Sequence, residues 1–224
     1  GRIHNVQCLI GITVNGLPVG GAVGIMLVHE RQIEVLYGLV SHSGGSCRSV
    51  LSGAKIFDAI NPLSVDAADS SRQDDREDEL LVFSGDSKKP ALGIALHHLE
   101  NRVLARESLE GGRPCPRMRH MVTGGCGNKF YSVQRSRTGA MSIGPPGSCS
   151  WDTAAPAAVL LAADPDARVT DLFGRPLVYD GVRLSNGCGV LVSSGAAANE
   201  VHARLAEELR GDEELCELVG FCGR

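Results

Sequence analysis

The sequence predicts a layered α/β fold. Two patterns point to it: short apolar runs alternate with amphipathic helical stretches from residue 80 onward, and an alternating strand pair at the start is broken by Asn15-Gly16. The composition agrees. Hydrophobic residues make up 43% and aromatics only 4%, so any core must be built from Val, Leu, Ile and Ala. Twenty-eight glycines imply tight turns or close backbone approaches.

Taken in order, Val6, Cys8, Ile10, Ile12 and Val14 alternate with other residues, and Asn15-Gly16 is a two-residue hairpin signal. Val19 to Val28 supplies the return strand, and Val35 to Val40 a third. Ser41 to Ser46 reads as a loop. Residues 64–79 hold seven acids against Arg72 and Arg76, a local charge of −5, so the other 208 residues carry +1. The net charge of −4 thus belongs to one solvated acidic insertion, whose alternative use is docking a basic partner. The lack of a basic excess argues against a nucleic-acid polymer as ligand.

Beyond the insertion, Leu80 to Phe83 reads as a strand. Pro90 opens a helix whose Leu92, Ala95, Leu96, Leu99 and Val103 share one face. Met118 to Val122 is a strand, Asn128 to Arg135 a short helix, and Gly139 to Ile143 a strand. Gly144 to Gly147 is a loop, and Thr153 to Ala163 is helical. Val169 and Leu177 to Tyr179 flank a turn at Phe173 to Pro176, and Gly189 to Val192 is a strand. A last helix puts Val201, Leu205 and Leu209 on one side, with Gly211 as its C-cap. The expected divisions are residues 1–63, the insertion 64–79, and an α/β domain over 80–224. No stretch approaches the 18 or so apolar residues of a membrane span. Eight cysteines without zinc or C-x-x-C spacing suit free thiols in a reducing intracellular compartment.

Three segments could carry chemistry. Gly124-Gly125-Cys126-Gly127-Asn128-Lys129 joins a strand to a helix. It fits either a structural turn or a phosphate site, because helix-start N–H groups and Lys129 both favour an anion. Asp152, after Trp151, reads as an N-cap or as a carboxylate for a hard metal. Ser84-Gly85-Asp86-Ser87 is a polar strand end of the kind that faces ligands in open α/β sheets. His97 and His98 read as packing or surface residues. Ser148 and Cys149 have no evident base, so no catalytic nucleophile is assigned.

The run Gly125 to Lys129, the run Trp151-Asp152-Thr153-Ala154-Ala155-Pro156 and the run Val169 to Leu177 resemble the inositol monophosphatase superfamily. The resemblance is strongest to its 3′(2′),5′-bisphosphate nucleotidase branch. Asn5 to Ile12, Asn15-Gly16, Gly20 to Val23, Tyr37 to Leu39 and Ser185 to Leu191 extend it. It implies an α-β-α-β-α sandwich, truncated at its N-terminus, and a magnesium-dependent phosphatase that converts 3′-phosphoadenosine 5′-phosphate to AMP. It also implies a metal-binding Asp152, and substrate contacts from Ser84, Gly125, Lys129 and Asp152. The family's Asp-Pro-x-Asp-Gly-Thr metal motif would fall before Gly1, and Ser87 stands where the branch has a histidine. The 224 residues alone are therefore expected to be inactive. Two alternatives remain: a degenerate phosphatase fold acting as an interaction subunit, its sheet covered by a protein partner, and a phosphatase for inositol phosphates or sugar bisphosphates.

Overall fold

A computed structural model describes residues 5–27, 32–43, 46–55, 79–105, 115–136 and 138–221. The acidic insertion falls almost wholly outside the described residues. The chain is α/β, and it divides into two compact units. One comprises Gly1–Asp74, Ser150–Pro165 and Val178–Leu184. The other comprises Asp75–Cys149, Asp166–Leu177 and Ser185–Arg224. The units are discontinuous in sequence.

The first unit is an antiparallel meander of β1 (Asn5–Val14), β2 (Leu17–Leu27), β3 (Gln32–Ser43) and β4 (Ser46–Lys55). Asn15 and Gly16 both have positive φ, at 51° and 77°, as a tight primed turn requires. The expected loop at Ser41 is instead the end of β3. β4 has too few apolar positions to be read as a strand, and its ladder to β3 identifies it. Helix α3 (Ser150–Ala163) lies on one face of this sheet. That docking explains why α3 groups with the first unit. Gly11 pairs with Gly21 and Gly21 with Gly38, a glycine row across three strands. The alanines of α3 settle into this row: a Cβ on Gly38 would lie 2.5 Å from the Ala162 Cβ. Val23, Ile25, Leu36 and Val40 complete the buried face.

The second unit has a five-stranded sheet in the order β6-β5-β7-β11-β9. These strands are β5 (Glu79–Ser84), β6 (Arg117–Val122), β7 (Ala140–Gly144), β9 (Arg168–Thr170) and β11 (Val190–Ser194). β5 runs parallel to both β6 and β7, whereas β11 is antiparallel to β7 and β9. A two-residue pair, β8 (Ser148–Cys149) with β10 (Ser185–Asn186), stands apart. One face of the large sheet packs on α1 (Pro90–His98, continued by a π-helical turn to Val103), α4 (Ala196–Arg210) and α5 (Glu213–Leu218). Leu80, Val82, Met141, Ile143 and Leu191 meet Ala95, Leu99, Val201, Leu205 and Leu209 there, all buried. The helical spacing of Val201, Leu205 and Leu209 thus points inward as read. Gly211 caps α4 with φ −87°, so the chain turns without a left-handed residue, and Asp212 caps α5 by accepting the Leu215 N–H. Helix α2 (Cys126–Arg135) packs on β5, β7 and β11 outside that cluster, through Phe130 and Val133. Since neighbouring strand residues face opposite ways, α2 covers the other face.

A buried polar knot ties β9 and β11 to α4. The Asn199 amide donates to the Asp166 carbonyl (2.8 Å), which turns Oδ1 toward the Ser193 hydroxyl, its donor at 2.6 Å. Ser193 Oγ must then accept the Nδ1–H of His202 (2.9 Å). The bare Nε2 accepts from the Thr170 hydroxyl at 2.8 Å, in competition with the Asp171 carbonyl. Burial, and then the charge of Arg168, push this imidazole down to about 3. The unfolded chain therefore binds a proton that the native state refuses. Stability from this group is full above about pH 6.5 and is lost as the pH falls from there toward 3, by up to about 1.4 kcal/mol per unit. Urea unfolding at pH 7, 5 and 4 should show that slope, and His202→Gln should flatten it.

Candidate anion cradle

The connection from β5 to β6 runs by α1 on one face of the sheet. The connection from β6 to β7 runs by α2 on the other. The loops leaving the carboxyl ends of β5 and β6 therefore part there, which is where open α/β sheets form ligand crevices. Gly85 to Ser87 leave one strand, and Thr123 to Gly125 leave the other. The Thr123 N–H bonds the Ser84 carbonyl at 2.8 Å, which closes the crevice floor.

Gly125 is the N-cap of α2, at φ 76° and ψ 140°, a region open to glycine and no other residue. The cap is a glycine, which supplies no side-chain acceptor to the positive end of the helix dipole. Two side chains fold back onto the loop. Asn128 Nδ2 donates to the Gly124 carbonyl (3.0 Å), and Lys129 Nζ donates to the Gly125 carbonyl (3.0 Å). Lys129 is only 9% exposed. Its Nζ lies beside Gly85, 3.9 Å from where a Cβ would stand. Among the described residues, that one carbonyl is its hydrogen-bond partner and no carboxylate pairs with it. A largely covered ammonium with one neutral partner is completed by an anion that joins it.

Ser84 sits at the same strand end but is 1% exposed. Its hydroxyl donates to the Gly85 carbonyl (3.1 Å), and His120 Nε2 lies 2.8 Å from its Oγ. The structure thus turns Ser84 into the protein rather than presenting it at the crevice surface. His120 was not singled out by sequence, because a lone histidine in an exposed strand carries no pattern. Ser84, Gly125 and Lys129 come together in the second unit.

Asp152 belongs to the first unit. It lies within the first turn of α3, half-buried, rather than at the N-cap, because the helix already begins at Ser150. Acidic charge there suits the helix dipole. Among the described residues, no three His, Cys, Asp or Glu side chains come together to hold a metal. Magnesium keeps several waters and takes one or two carboxylates beside phosphate oxygens, and no described cluster of acids gathers around Asp152 to supply them. Asp171, in the run Val169 to Leu177, is spent on a turn. Its Oδ1 accepts from the Phe173 and Arg175 N–H groups and its Oδ2 from Arg175 Nε (2.7 Å). An open cavity of about 620 Å³ on the second unit, lined by Glu207, Glu208, Asp212, Glu213 and Glu214 with His98 and Arg102, carries a net excess of carboxylates that would repel phosphate.

No described helix is long and apolar enough to cross a membrane. Six described cysteines, including Cys126, Cys149 and Cys188, take part in no disulfide. No protein-family model matches the sequence, and neither does any curated protein. Among solved structures, the chain is similar to the extragenic suppressor protein suhB from Bartonella henselae, at 17% identity and a TM-score of 0.48. The likeness covers 89% of this chain and 60% of that one, so the chain spans less than two thirds of suhB's length.

Proposed function

We propose that this chain is the nucleotide-phosphate-binding part of a phosphomonoesterase of the bisphosphate nucleotidase type. Its ligand is 3′-phosphoadenosine 5′-phosphate, held by Lys129 and the N-terminus of α2. The observation that carries this is the buried Lys129, without a carboxylate partner among the described residues, at the glycine-capped start of α2. The Lys129 Nζ and the α2 N–H groups supply charge and directed donors to phosphoryl oxygens. The positive φ of Gly125 removes the side chain that would block their approach. Phosphatases of this type draw a nucleophilic water from magnesium, and the described residues offer no set of ligands for it. The chain by itself therefore binds the nucleotide without cleaving it.

Calorimetry with 3′-phosphoadenosine 5′-phosphate should give saturable binding that weakens as salt rises. A phosphate-release assay with magnesium should stay at the blank. Absence of binding would overturn the proposal; release by the chain alone would overturn its inert half. Inositol monophosphate and fructose 1,6-bisphosphate serve as competitors, and either one binding more tightly would reassign the ligand.

A second reading, an interaction subunit, draws on the sheet of the first unit. Opposite the buried glycine row, Ile10, Ile12 and Leu39 are each more than half exposed, with Tyr37 beside them. A protein partner would cover such a face.

A further inference from the structure

We infer that His120 is a positioning residue of the anion cradle, acting through Ser84; this rests on the phosphate-binding reading above. Ser84 is the last residue of β5 and the point from which the Gly85 loop departs. Three bonds converge on it: its carbonyl receives the Thr123 N–H, its hydroxyl donates to the Gly85 carbonyl, and its Oγ meets His120 Nε2. The hydroxyl has one hydrogen, spent on Gly85, so the imidazole must donate through Nε2–H. This bond links β6 to the strand end carrying the wall against which Lys129 Nζ rests.

The bond adds little to stability. His120 is exposed and would find water without Ser84, and the Ser84 hydroxyl keeps the Gly85 carbonyl without His120. What the pair fixes is direction. It holds Gly85 and Thr123, the roots of the two crevice loops, at one separation, so the donors of Lys129 and α2 converge before ligand arrives. A cradle held in advance binds more tightly because less ordering is left to binding.

The test measures calorimetric affinity for 3′-phosphoadenosine 5′-phosphate, with thermal melts alongside. His120→Ala should weaken binding about tenfold, the scale of a lost supporting hydrogen bond, with little change in melting temperature. His120→Gln, whose amide reaches Ser84 Oγ, should restore most of it. Ser84→Ala should match the loss, and the double variant should be no weaker than either single one. Unchanged binding by His120→Ala, while Lys129→Met abolishes it, would overturn the inference and leave the cradle standing. Equal losses in His120→Ala and His120→Gln, with a lowered melting point in both, would also overturn it, since the histidine would then be structural alone. If the unaltered chain binds no nucleotide, the phosphate reading falls and this inference with it.

Discussion

Gly21→Ala should lower stability by about 2–3 kcal/mol or more, although it adds a single methyl group. A Cβ on Gly21 would lie 2.3 Å from the carbonyl oxygen of Ala155 and 3.0 Å from its Cα. Those are backbone atoms of α3, so no side-chain rotation relieves the clash. The helix must lift off the sheet or β2 must bend. Lifting α3 parts a buried seam in which Ala155, Ala158 and Ala162 lie close to the glycine row. Gly24→Ala, three residues along the same strand, is the control. A Cβ there meets nothing closer than 3.7 Å, an ordinary contact with Cys8. That substitution should be neutral or raise stability by a few tenths of a kcal/mol, because alanine restricts the unfolded chain more than glycine does. Urea unfolding of both variants separates the two cases. Equal effects at the two positions would mean that α3 does not rest on the glycine row.

The hairpin, α1 and α4 were legible because each depends on local pattern: Asn15-Gly16 needs two positive φ values, and Val201, Leu205 and Leu209 repeat at helical spacing. The glycine row was not. Gly20, Gly21 and Gly24 read only as glycines within one strand. Which of them faces α3 depends on pairing with Gly11 and Gly38, a fact of register rather than of sequence. β4 was hidden for a related reason, since its evidence is a ladder to β3 and not its own composition. The loop at Gly125 was visible as a possible anion site, but the burial of Lys129 was not. A lysine in a first helical turn is usually solvated. Here α2 lies against the large sheet, and that packing places Lys129 among its buried residues. The inward turn of Ser84 and its bond to His120 required β5 and β6 to be neighbours, which only the parallel ladder establishes.

Lys129→Met should make the empty chain more stable and abolish nucleotide binding. Wild-type Lys129 is a 9% exposed residue whose ammonium, among the described residues, has one carbonyl as partner. Covering a charge without an ionic partner works against stability, and one hydrogen bond to a charged group returns about 1.5–3 kcal/mol. Methionine has nearly the same length, fills the same volume and carries no charge to desolvate. The unliganded variant should therefore gain about 1 kcal/mol or more in urea unfolding, the sign expected where a binding site has been kept at the expense of stability. Ligand should reverse the ranking. An anion that binds the native chain alone raises stability by about 2.7 kcal/mol at a hundred times its dissociation constant. Only the wild-type chain should receive that increment as nucleotide is added, so the two stability curves should cross. A Met variant that is less stable without ligand would show that Lys129 is held by its packing and its carbonyl bond, with no anion needed to complete the site. Curves that stay parallel across the nucleotide titration would show that the buried charge does not face the nucleotide.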